Sequence, residues 1–172
     1  MKTQFVELPI STRDGKFIAR YSEKGLTALD FPKAGSARRA DYGGRPQGPP
    51  QRGVSTKILA WHRTTETALK NILASREPKN LPPLDMTGTE FQKSVWNALR
   101  KITTGKTKSY GEIAQAIGRP RAVRAVGGAC GANPIPVLVP CHRVLAANKK
   151  LGGFSGGLDW KCSLLAREGI KF

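Results

Sequence analysis

A proline-rich segment near the middle of the chain sets the strongest limit on how it can fold. Residues 76–84 contain three prolines and few apolar side chains. Proline lacks a backbone N–H and disrupts a helix interior, so no regular helix is expected to run through this segment. The composition is typical of a linker. It predicts two domains, residues 1–85 and residues 86–172.

The first domain has the pattern of a small antiparallel sheet with one helix. Apolar residues cluster or alternate in three short runs, 5–10, 16–21 and 26–31, and an Asp-Gly turn signal separates the first two. Ser55 is a favourable N-cap for an amphipathic helix that extends to about residue 74. We expect this helix to pack on the sheet.

A change of composition interrupts that domain. Residues 33–53 are rich in Gly, Pro and Arg and contain almost nothing apolar to bury. Such a segment predicts a basic, flexible loop. It can contact nucleic acid or merely keep the chain soluble, and the second interpretation is the one we favour.

The second domain is predicted to be mostly helical. Residues 89–102 place apolar side chains on one stripe, and residues 109–118 open with a Ser-x-x-Glu capping box and end at a glycine. Pro120 suits the first position of a further helix, 121–131, which combines small residues with arginines. Two short helices joined through Gly-Arg-Pro are typical of a helix-turn-helix, and we favour DNA contact over simple helix packing.

The charge of the chain favours a polyanionic partner. Lys and Arg number 29 against 12 Asp and Glu, which gives a net charge of +17, and the isoelectric point is about 10.4. Between Lys93 and Arg124 the only acidic residue is Glu112. The second domain is therefore the expected contact surface for nucleic acid.

Cysteine usage and hydropathy predict an intracellular protein without a membrane anchor. No apolar run is long enough to cross a bilayer, and the first ten residues lack the apolar core of a signal peptide. The three cysteines show no Cys-x-x-Cys spacing, which argues against a disulfide framework and a structural zinc site. We expect the cytoplasm, or the nucleus if the source is a eukaryote, with Cys130 and Cys162 serving only as packing residues.

A third cysteine stands in a context that suggests chemistry. The apolar run 137–139 predicts a short buried strand that leads into the sequence Pro-Cys-His-Arg-Val, residues 140–144. This arrangement delivers the thiol of Cys141 beside His142, and a thiolate is the effective nucleophile. Adjacent Cys and His residues alone leave plain packing open. The predicted fold is α/β: a small N-terminal antiparallel sheet with a helix, then a mostly helical domain with the helix-turn-helix and a short strand leading to the PCHRV loop.

Several motifs in the second domain occur together in a recognisable order. They are Ser-Tyr-Gly-Glu-Ile-Ala at 109–114, Arg-Ala-Val-Arg-Ala-Val-Gly at 121–127, Asn-Pro at 133–134, PCHRV at 140–144, Ser-Gly-Gly at 155–157 and Leu-Leu-Ala-Arg-Glu-Gly at 164–169. In this order and spacing the chain resembles the O6-alkylguanine-DNA alkyltransferases, the methylated-DNA–protein-cysteine methyltransferases. The resemblance covers nearly all of residues 86–172. Residues 1–85 match that family only in size and coarse pattern.

The resemblance implies a set of catalytic roles. Cys141 is the alkyl acceptor, and it attacks the carbon attached to guanine O6. His142 acts as its base through a water molecule, with Glu168 orienting the imidazole. Tyr110 protonates the departing base at N3, and Asn133 orders the turn between the recognition helix and the cysteine. Each of these residues taken singly also has a structural interpretation, as a helix cap, a packing residue or a solvated charge.

The resemblance also implies how the base and the DNA are held. Val144 and Ser155 hold the base through backbone groups, and Phe154 forms part of the pocket wall. Because O6 lies inside the stacked duplex, the nucleotide must rotate out through the minor groove, and Arg124 takes its place. The remaining expected DNA contacts are Arg121, Ala125, Gly127 and Gly128.

The implied reaction is stoichiometric and irreversible. The product is a thioether, which nothing in these motifs is suited to cleave, so each molecule acts once. We expect no organic cofactor, no catalytic metal, no membrane contact and no obligate protein partner. The partner is double-stranded DNA that contains O6-alkylguanine, and the protein is expected to be a monomer.

Two other classes of function share some of these sequence features. The first is a non-catalytic DNA-binding protein such as the alkyltransferase-like proteins, which lack the acceptor cysteine; the presence of Cys141 disfavours it. The second is a Cys-His hydrolase, which needs an oxyanion hole and turnover, and which leaves Arg124 and the helix-turn-helix without a purpose. DNA binding without sulfur alkylation favours the first, and catalytic turnover the second.

Overall fold

The protein has a mixed α/β fold, as the sequence predicts. The structure is a computed structural model that describes residues 5–32 and 53–171. The predicted basic loop 33–53 therefore lies outside the described residues except for Gly53. The elements in chain order are β1 (Val6–Thr12), β2 (Gly15–Tyr21), β3 (Leu26–Asp30), α1 (Thr56–Leu73), α2 (Glu90–Leu99), β4 (Lys108–Ser109), α3 (Tyr110–Ala116), α4 (Val123–Gly131), β5 (Val144–Leu145) and α5 (Leu158–Arg167).

The three predicted N-terminal strands are confirmed as an antiparallel sheet in the order β1-β2-β3. The predicted turn joins β1 to β2, and Gly15 adopts a φ of 121°, which an L side chain rarely adopts. Phe17, Ala19 and Tyr21 alternate along β2 and are completely buried. The period-two burial explains why the sequence pattern located this sheet correctly.

Helix α1 also begins where the sequence predicts. Ser55 is the N-cap, and its side-chain oxygen accepts a hydrogen bond from the Ile58 N–H at 3.3 Å. Such a cap stabilises a helix by about 1 kcal/mol. Leu69 and Ile72 on one face of the helix are buried in the hydrophobic core that also contains the inner side chains of β2.

The proline-rich segment is hydrogen-bonded to the edge of the sheet. The Leu26 N–H donates to the Pro83 carbonyl at 2.8 Å, and the Asp85 N–H donates to the Leu26 carbonyl at 2.8 Å. A Cβ on Gly25 would lie 2.3 Å from the Pro83 oxygen, so only glycine permits this approach. The segment therefore extends the edge of β3. The division into two domains near residue 85 stays a prediction.

The two halves meet through specific polar contacts as well as a shared apolar core. The Leu29 N–H of β3 donates to the Pro134 carbonyl at 2.9 Å. The guanidinium of Arg167, at the end of α5, donates to both carboxylate oxygens of Asp14 at 2.8 and 2.6 Å. The first contact joins β3 to the segment after α4, and the second fixes the end of α5 against the turn between β1 and β2.

Helices α2 and α3 have the capping boxes that their sequences encode. Ser109 Oγ accepts from the Glu112 N–H at 3.1 Å, and the Glu112 carboxylate accepts from the Ser109 N–H at 2.7 Å. Gly118, with φ of 69°, ends the helix as predicted. Helix α2 stops at Leu99 instead of continuing to Ile102, because its last turn tightens to hydrogen bonds spanning three residues.

Helix α4, the second helix of the helix-turn-helix, begins later than predicted. It starts at Val123, and Pro120 is not its first residue. The Ala122 N–H donates to the Arg119 carbonyl at 2.9 Å, which closes a turn around Pro120 and Arg121. Proline with its fixed φ favours the second position of such a turn as strongly as the first position of a helix, so the prediction was wrong by two residues. Helices α3 and α4 still form the predicted helix-turn-helix.

The apolar run before the cysteine is a buried turn, and the prediction of a strand there was wrong. Val137 has a φ of 74°, and the Val139 N–H donates to the Ile135 carbonyl at 2.9 Å. Flanking prolines remove the N–H groups that a strand needs, while burial of the run does not require a strand. The short strand is instead β5, which begins at Val144 and pairs in parallel with β4.

Within residues 5–32 and 53–171, none of the helices combines the length and the apolar character needed to cross a membrane.

Candidate active site

Cys141 lies at the start of a single 3-10 turn, Cys141–Arg143, that follows Pro140. Its side chain is buried, with 3% of the residue exposed. The side-chain amide of Asn133 donates to Cys141 Sγ at 3.1 Å and to the Val139 carbonyl at 2.8 Å. The Asn133 carbonyl oxygen accepts from the Ile135 N–H at 3.1 Å. Asn133 thus holds the turn before the cysteine and directs a hydrogen-bond donor at the sulfur.

The environment of the sulfur has opposing effects on its ionisation. Burial raises the pKa of the Cys141 thiol, while the Asn133 amide and the positive charge of Lys161 favour the thiolate. Burial is the larger effect, so the thiol is protonated at neutral pH. Ionisation of Cys141 therefore requires a nearby base.

His142, the next residue, is completely buried and is held from one side by a carboxylate. Its Nε2 lies 3.1 Å from Glu168 Oε1. Burial lowers the pKa of His142, and the Glu168 carboxylate opposes that effect. An ionised carboxylate only accepts hydrogen bonds, so Nε2 carries the hydrogen and Nδ1 of the neutral ring is an acceptor. That Nδ1 is buried and has no hydrogen-bond partner among the described residues.

Glu168 itself is held by a buried arginine. Arg143 donates from Nε to both carboxylate oxygens at 3.1 Å and from Nη2 to Oε1 at 2.9 Å. Burial disfavours the carboxylate, but the hydrogen bonds from His142 and Arg143 outweigh it and lower the pKa of Glu168 to about 2. The Gly105 N–H adds a further donor at 3.2 Å. Glu168 is consequently ionised and fixed at neutral pH.

A pocket of about 560 Å³ opens over the cysteine. It brings together Cys141, Tyr110, Arg124, Phe154 and Ser155, all of which the sequence singled out. Its remaining lining is Val123, Gly127, Cys130, Gly131 and Gly153.

Other predicted site residues lie outside this pocket. Asn133 donates to the cysteine sulfur, His142 pairs with Glu168, and Val144 is fully buried without lining the pocket. The remaining predicted DNA contacts are on the exposed surface of α4 and the turn before it; they are Arg121, Ala125 and Gly128.

Tyr110, the first residue of α3, forms one wall of the pocket. Its hydroxyl lies against Gly152, where a Cβ would approach to 2.9 Å, and Gly152 has a φ of 67°. Burial raises the pKa of Tyr110, and nearby Cys130 and Cys141 thiolates would raise it further. Tyr110 therefore keeps its proton at neutral pH and can donate it inside the pocket.

Cys130 is the second thiol of this pocket. It is 6% exposed, and burial raises its pKa to about 12. The third cysteine, Cys162 of α5, is partly exposed and does not line the pocket. The thiol of Cys130 is therefore protonated at neutral pH, and neither adjacent residue in the sequence is a histidine.

A buried lysine that the sequence analysis missed supports the pocket. Lys161 of α5 is fully buried, and its ammonium donates to the carbonyl oxygens of Val144 at 2.7 Å, Leu151, and Gly153 at 3.3 Å. These carbonyls belong to β5 and to the loop 150–157, which contributes Gly153, Phe154 and Ser155 to the pocket lining. A signal was present, because position 161 shares a helical face with the buried Leu164 and Leu165.

The described residues contain no cluster suited to a metal ion. Within 5–32 and 53–171, no group of three or more His, Cys, Asp or Glu side chains comes close enough to hold one.

Comparison with known proteins identifies the family. The model for "6-O-methylguanine DNA methyltransferase, DNA binding domain" matches residues 90–170. A methylated-DNA–protein-cysteine methyltransferase of Methanosarcina acetivorans is 62% identical over 82 residues, which are 48% of this chain and 53% of that protein. One from Haemophilus influenzae is 51% identical over 90 residues, 52% of this chain and 50% of that protein. The chain thus spans about half the length of the curated relatives it matches.

Solved structures match over almost the whole chain. The Mycobacterium tuberculosis O6-methylguanine methyltransferase is 35% identical, with a TM-score of 0.68, and the match covers 96% of this chain and 93% of that one. The structure of Mycobacterium tuberculosis OGT in complex with DNA is 36% identical, with a TM-score of 0.66, over 93% of this chain and 90% of that one.

The fold and the pocket together define a class. It is a helix-turn-helix protein whose buried cysteine, backed by a His-Glu pair, faces the same pocket as the recognition helix. Within that class the chain belongs to the 6-O-methylguanine DNA methyltransferase family.

Proposed function

We propose that this protein repairs DNA by moving the alkyl group of O6-alkylguanine onto Cys141, once per molecule. One observation carries the proposal. Cys141 lines the same pocket as Arg124, an exposed cationic residue in the first turn of α4. The membership of the chain in the methyltransferase family supports the same conclusion.

The proposed transfer is a displacement at carbon. Cys141 Sγ forms a bond to the alkyl carbon as the bond from that carbon to O6 breaks. The thiol proton passes to His142 Nδ1 through a water molecule, and the imidazolium is stabilised by Glu168. Tyr110 donates a proton to guanine N3, so the base leaves neutral. The His142 imidazolium then gives its extra proton to water and the Tyr110 phenolate regains one from water, so the net change moves one proton from the thiol to guanine.

The position of the pocket explains how a base in a duplex is reached. The alkylated nucleotide must leave the stack, at a cost of roughly a few kcal/mol. Arg124 is exposed at the start of α4 and also lines the pocket, so it is placed to occupy the vacated space. The small side chains at Ala125, Gly127 and Gly128 permit a close approach to the minor groove. Arg121 is assigned to the phosphate backbone.

Residues behind and around the pocket are assigned supporting roles. Asn133 and Glu168 are positioning residues for the cysteine and the histidine. Phe154 forms the wall of the base pocket, and backbone groups of Val144 and Ser155 hold the base. All side chains of the described pocket come from residues 110–155, which supports residues 86–172 as the DNA-binding and alkyl-acceptor domain.

The thioether product makes the reaction irreversible. Neither His142 nor Glu168 provides a route to break a carbon–sulfur bond, so each protein molecule is consumed. All the proposed steps use side chains of this chain and water. The proposal includes a monomer that works without a protein partner, on double-stranded DNA inside the cell.

Mass spectrometry tests the proposal directly. The protein is mixed with a duplex that contains one O6-methylguanine, and the intact protein and its peptides are then weighed. We expect one methyl group per protein, on the peptide that contains Cys141, and restored guanine in the DNA. Tight binding without added mass would contradict the proposal in favour of non-catalytic recognition. Repeated turnover would contradict it in favour of hydrolysis.

Substitution of Arg124 separates nucleotide rotation from chemistry. We expect Arg124→Ala to slow methyl transfer from duplex DNA about a hundredfold, because about 3 kcal/mol of rotation cost is no longer offset. Its rate with free O6-benzylguanine should stay within about twofold of wild type, since a free base needs no rotation. Single-turnover kinetics on both substrates measure the two rates.

Tyr110→Phe is the matched comparison for Arg124→Ala. It removes only the hydroxyl that is proposed to protonate N3, so both substrates should react more slowly. Equal losses on duplex and free base for Arg124→Ala would show that Arg124 does not act on the rotated nucleotide.

A further inference from the structure

Phe31, which follows β3, forms the centre of an aromatic cluster between the two halves of the protein. Its ring centroid lies 4.9 Å from that of Trp160, 5.6 Å from that of Phe17 and 5.7 Å from that of Phe154. Phe17 belongs to the buried face of β2, and Trp160 belongs to α5. Phe31 is therefore held on one side by rigid elements of the fold.

Phe31 also contacts the loop 150–157, which contributes Gly153, Phe154 and Ser155 to the pocket lining. The ring pair of Phe31 and Phe154 is edge-on, with an interplanar angle of 71°. Phe154 lines the pocket over Cys141, and its ring centroid is 6.5 Å from that of His142. A continuous series of ring contacts thus runs from β2 through Phe31 to the pocket wall.

The backbone of the same loop also rests on Phe31. A Cβ built on Gly156 would lie 2.5 Å from the Phe31 ring, closer than any real contact. The φ angle of Gly156 lies outside the left-handed region, so contact with Phe31, rather than backbone strain, excludes a side chain there. Ser155, between these two contacts, lines the pocket.

We propose that Phe31 is a positioning residue that sets the width of the alkyl pocket. It does so by holding Phe154 and the loop around Gly156 against the fold. Within the described residues the N-terminal half contributes no side chain to the pocket lining, and Phe31 gives that half a role in substrate selection. The inference rests on the proposed function.

Removal of the ring tests this role through the size of the alkyl group. In Phe31→Ala, Phe154 can move into the space left by the ring, and the pocket widens. We expect transfer of a methyl group from duplex DNA to slow about tenfold, because the small group is no longer fixed against the sulfur. Transfer of a benzyl group from the same duplex should slow less, so the benzyl-to-methyl rate ratio should rise about threefold or more.

Gly156 provides an independent test of the same contact. Gly156→Ala alone should also slow methyl transfer, because its new methyl group collides with the Phe31 ring. In the double variant with Phe31→Ala that methyl group occupies the space left by the ring. The double variant should therefore react faster than the product of the two single effects predicts. Multiplicative single effects would overturn the proposal.

A core substitution of similar severity controls for stability. Leu69→Ala removes a fully buried side chain of α1 that is not part of the aromatic cluster. Its benzyl-to-methyl ratio should equal that of wild type at a temperature where all variants are folded. Phe31→Leu, which keeps most of the volume, replaces Phe31→Ala if the latter does not fold, and it should shift the ratio in the same direction.

The two hypotheses fail in different ways. If wild type transfers no alkyl group to Cys141, the proposed function is wrong. If wild type transfers the group and the Phe31 variants keep the wild-type ratio of benzyl to methyl transfer, the inference about Phe31 alone is wrong.

Discussion

Cys141→Ser will abolish transfer of the methyl group while leaving duplex binding within about twofold of wild type. Serine keeps nearly the same shape and can still accept the hydrogen bond from the Asn133 amide, which lies 3.1 Å from the sulfur. A hydroxyl is far harder to ionise than a thiol, and neutral His142 is too weak a base to generate an alkoxide. Single-turnover transfer and a binding titration on the same duplex measure the two properties.

Cys162, which is partly exposed, supplies the matched control. Cys162→Ser makes the same chemical change on α5, at a residue that does not line the pocket. It should transfer the methyl group at the wild-type rate. A methyl group found on another residue in Cys141→Ser would show that Cys141 is not the acceptor.

Local signals in the sequence predicted much of the fold. The N-cap at Ser55 and the capping box of Ser109 and Glu112 require only neighbouring residues, and each appears where its pattern places it. The alternation of Phe17 and Ala19 along β2 likewise depends on a single buried face. Such signals are read from a few consecutive positions.

The sequence predicted the start of α4 and the structure of residues 137–139 incorrectly, and the two errors share a physical cause. Apolar composition at Val137 and Val139 reports burial, but burial alone does not distinguish a strand from a turn. Pro120 satisfies either a turn or a helix start, and the Arg119–Ala122 hydrogen bond decides between them. In both places the backbone hydrogen bonds that decide the structure depend on how the segment packs against the rest of the protein.

The parts of the site that sequence could not supply involve long-range contacts. Lys161 reaches the carbonyl of Val144 across 17 positions, and Phe31 meets Gly156 from the opposite half of the chain. The helical pattern of α5 indicates only that position 161 is buried, and neither contact itself leaves a local pattern. The roles of Cys141 and Glu168 followed from resemblance to a family, and the structure adds the arginine that fixes the carboxylate.

Substitution of Glu168 is the second change for which we expect a large effect. Glu168→Gln should destabilise the protein by about 3 kcal/mol at neutral pH, because it removes one partner of a buried charged group. Glu168 accepts from Arg143, His142 and the Gly105 N–H. A glutamine replaces one acceptor oxygen with an NH₂ donor, so at least one of these hydrogen bonds becomes a donor–donor contact. Chemical denaturation at pH 7 measures the loss.

The pH dependence of stability identifies the charge as the cause. The pKa of Glu168 falls from an ordinary value of 4.5 to about 2 in the folded protein. Its contribution is therefore complete above about pH 4.5 and is lost as the pH falls through about 2. The difference in free energy of unfolding between wild type and Glu168→Gln should shrink over that range. A difference that stays constant from pH 7 to pH 2 would mean that packing, and not charge, is responsible.

Methyl transfer should fall about a hundredfold in the same variant. The neutral amide no longer stabilises the imidazolium that forms when His142 takes the thiol proton, and it holds the ring less firmly. Glu66→Gln is the control, since Glu66 on α1 forms a surface pair with Lys70 at 2.7 Å. It should change stability by less than about 0.5 kcal/mol and leave transfer unchanged. Wild-type transfer by a destabilised Glu168→Gln would instead restrict Glu168 to holding Arg143, and His142 would then act on the thiol without support from a carboxylate.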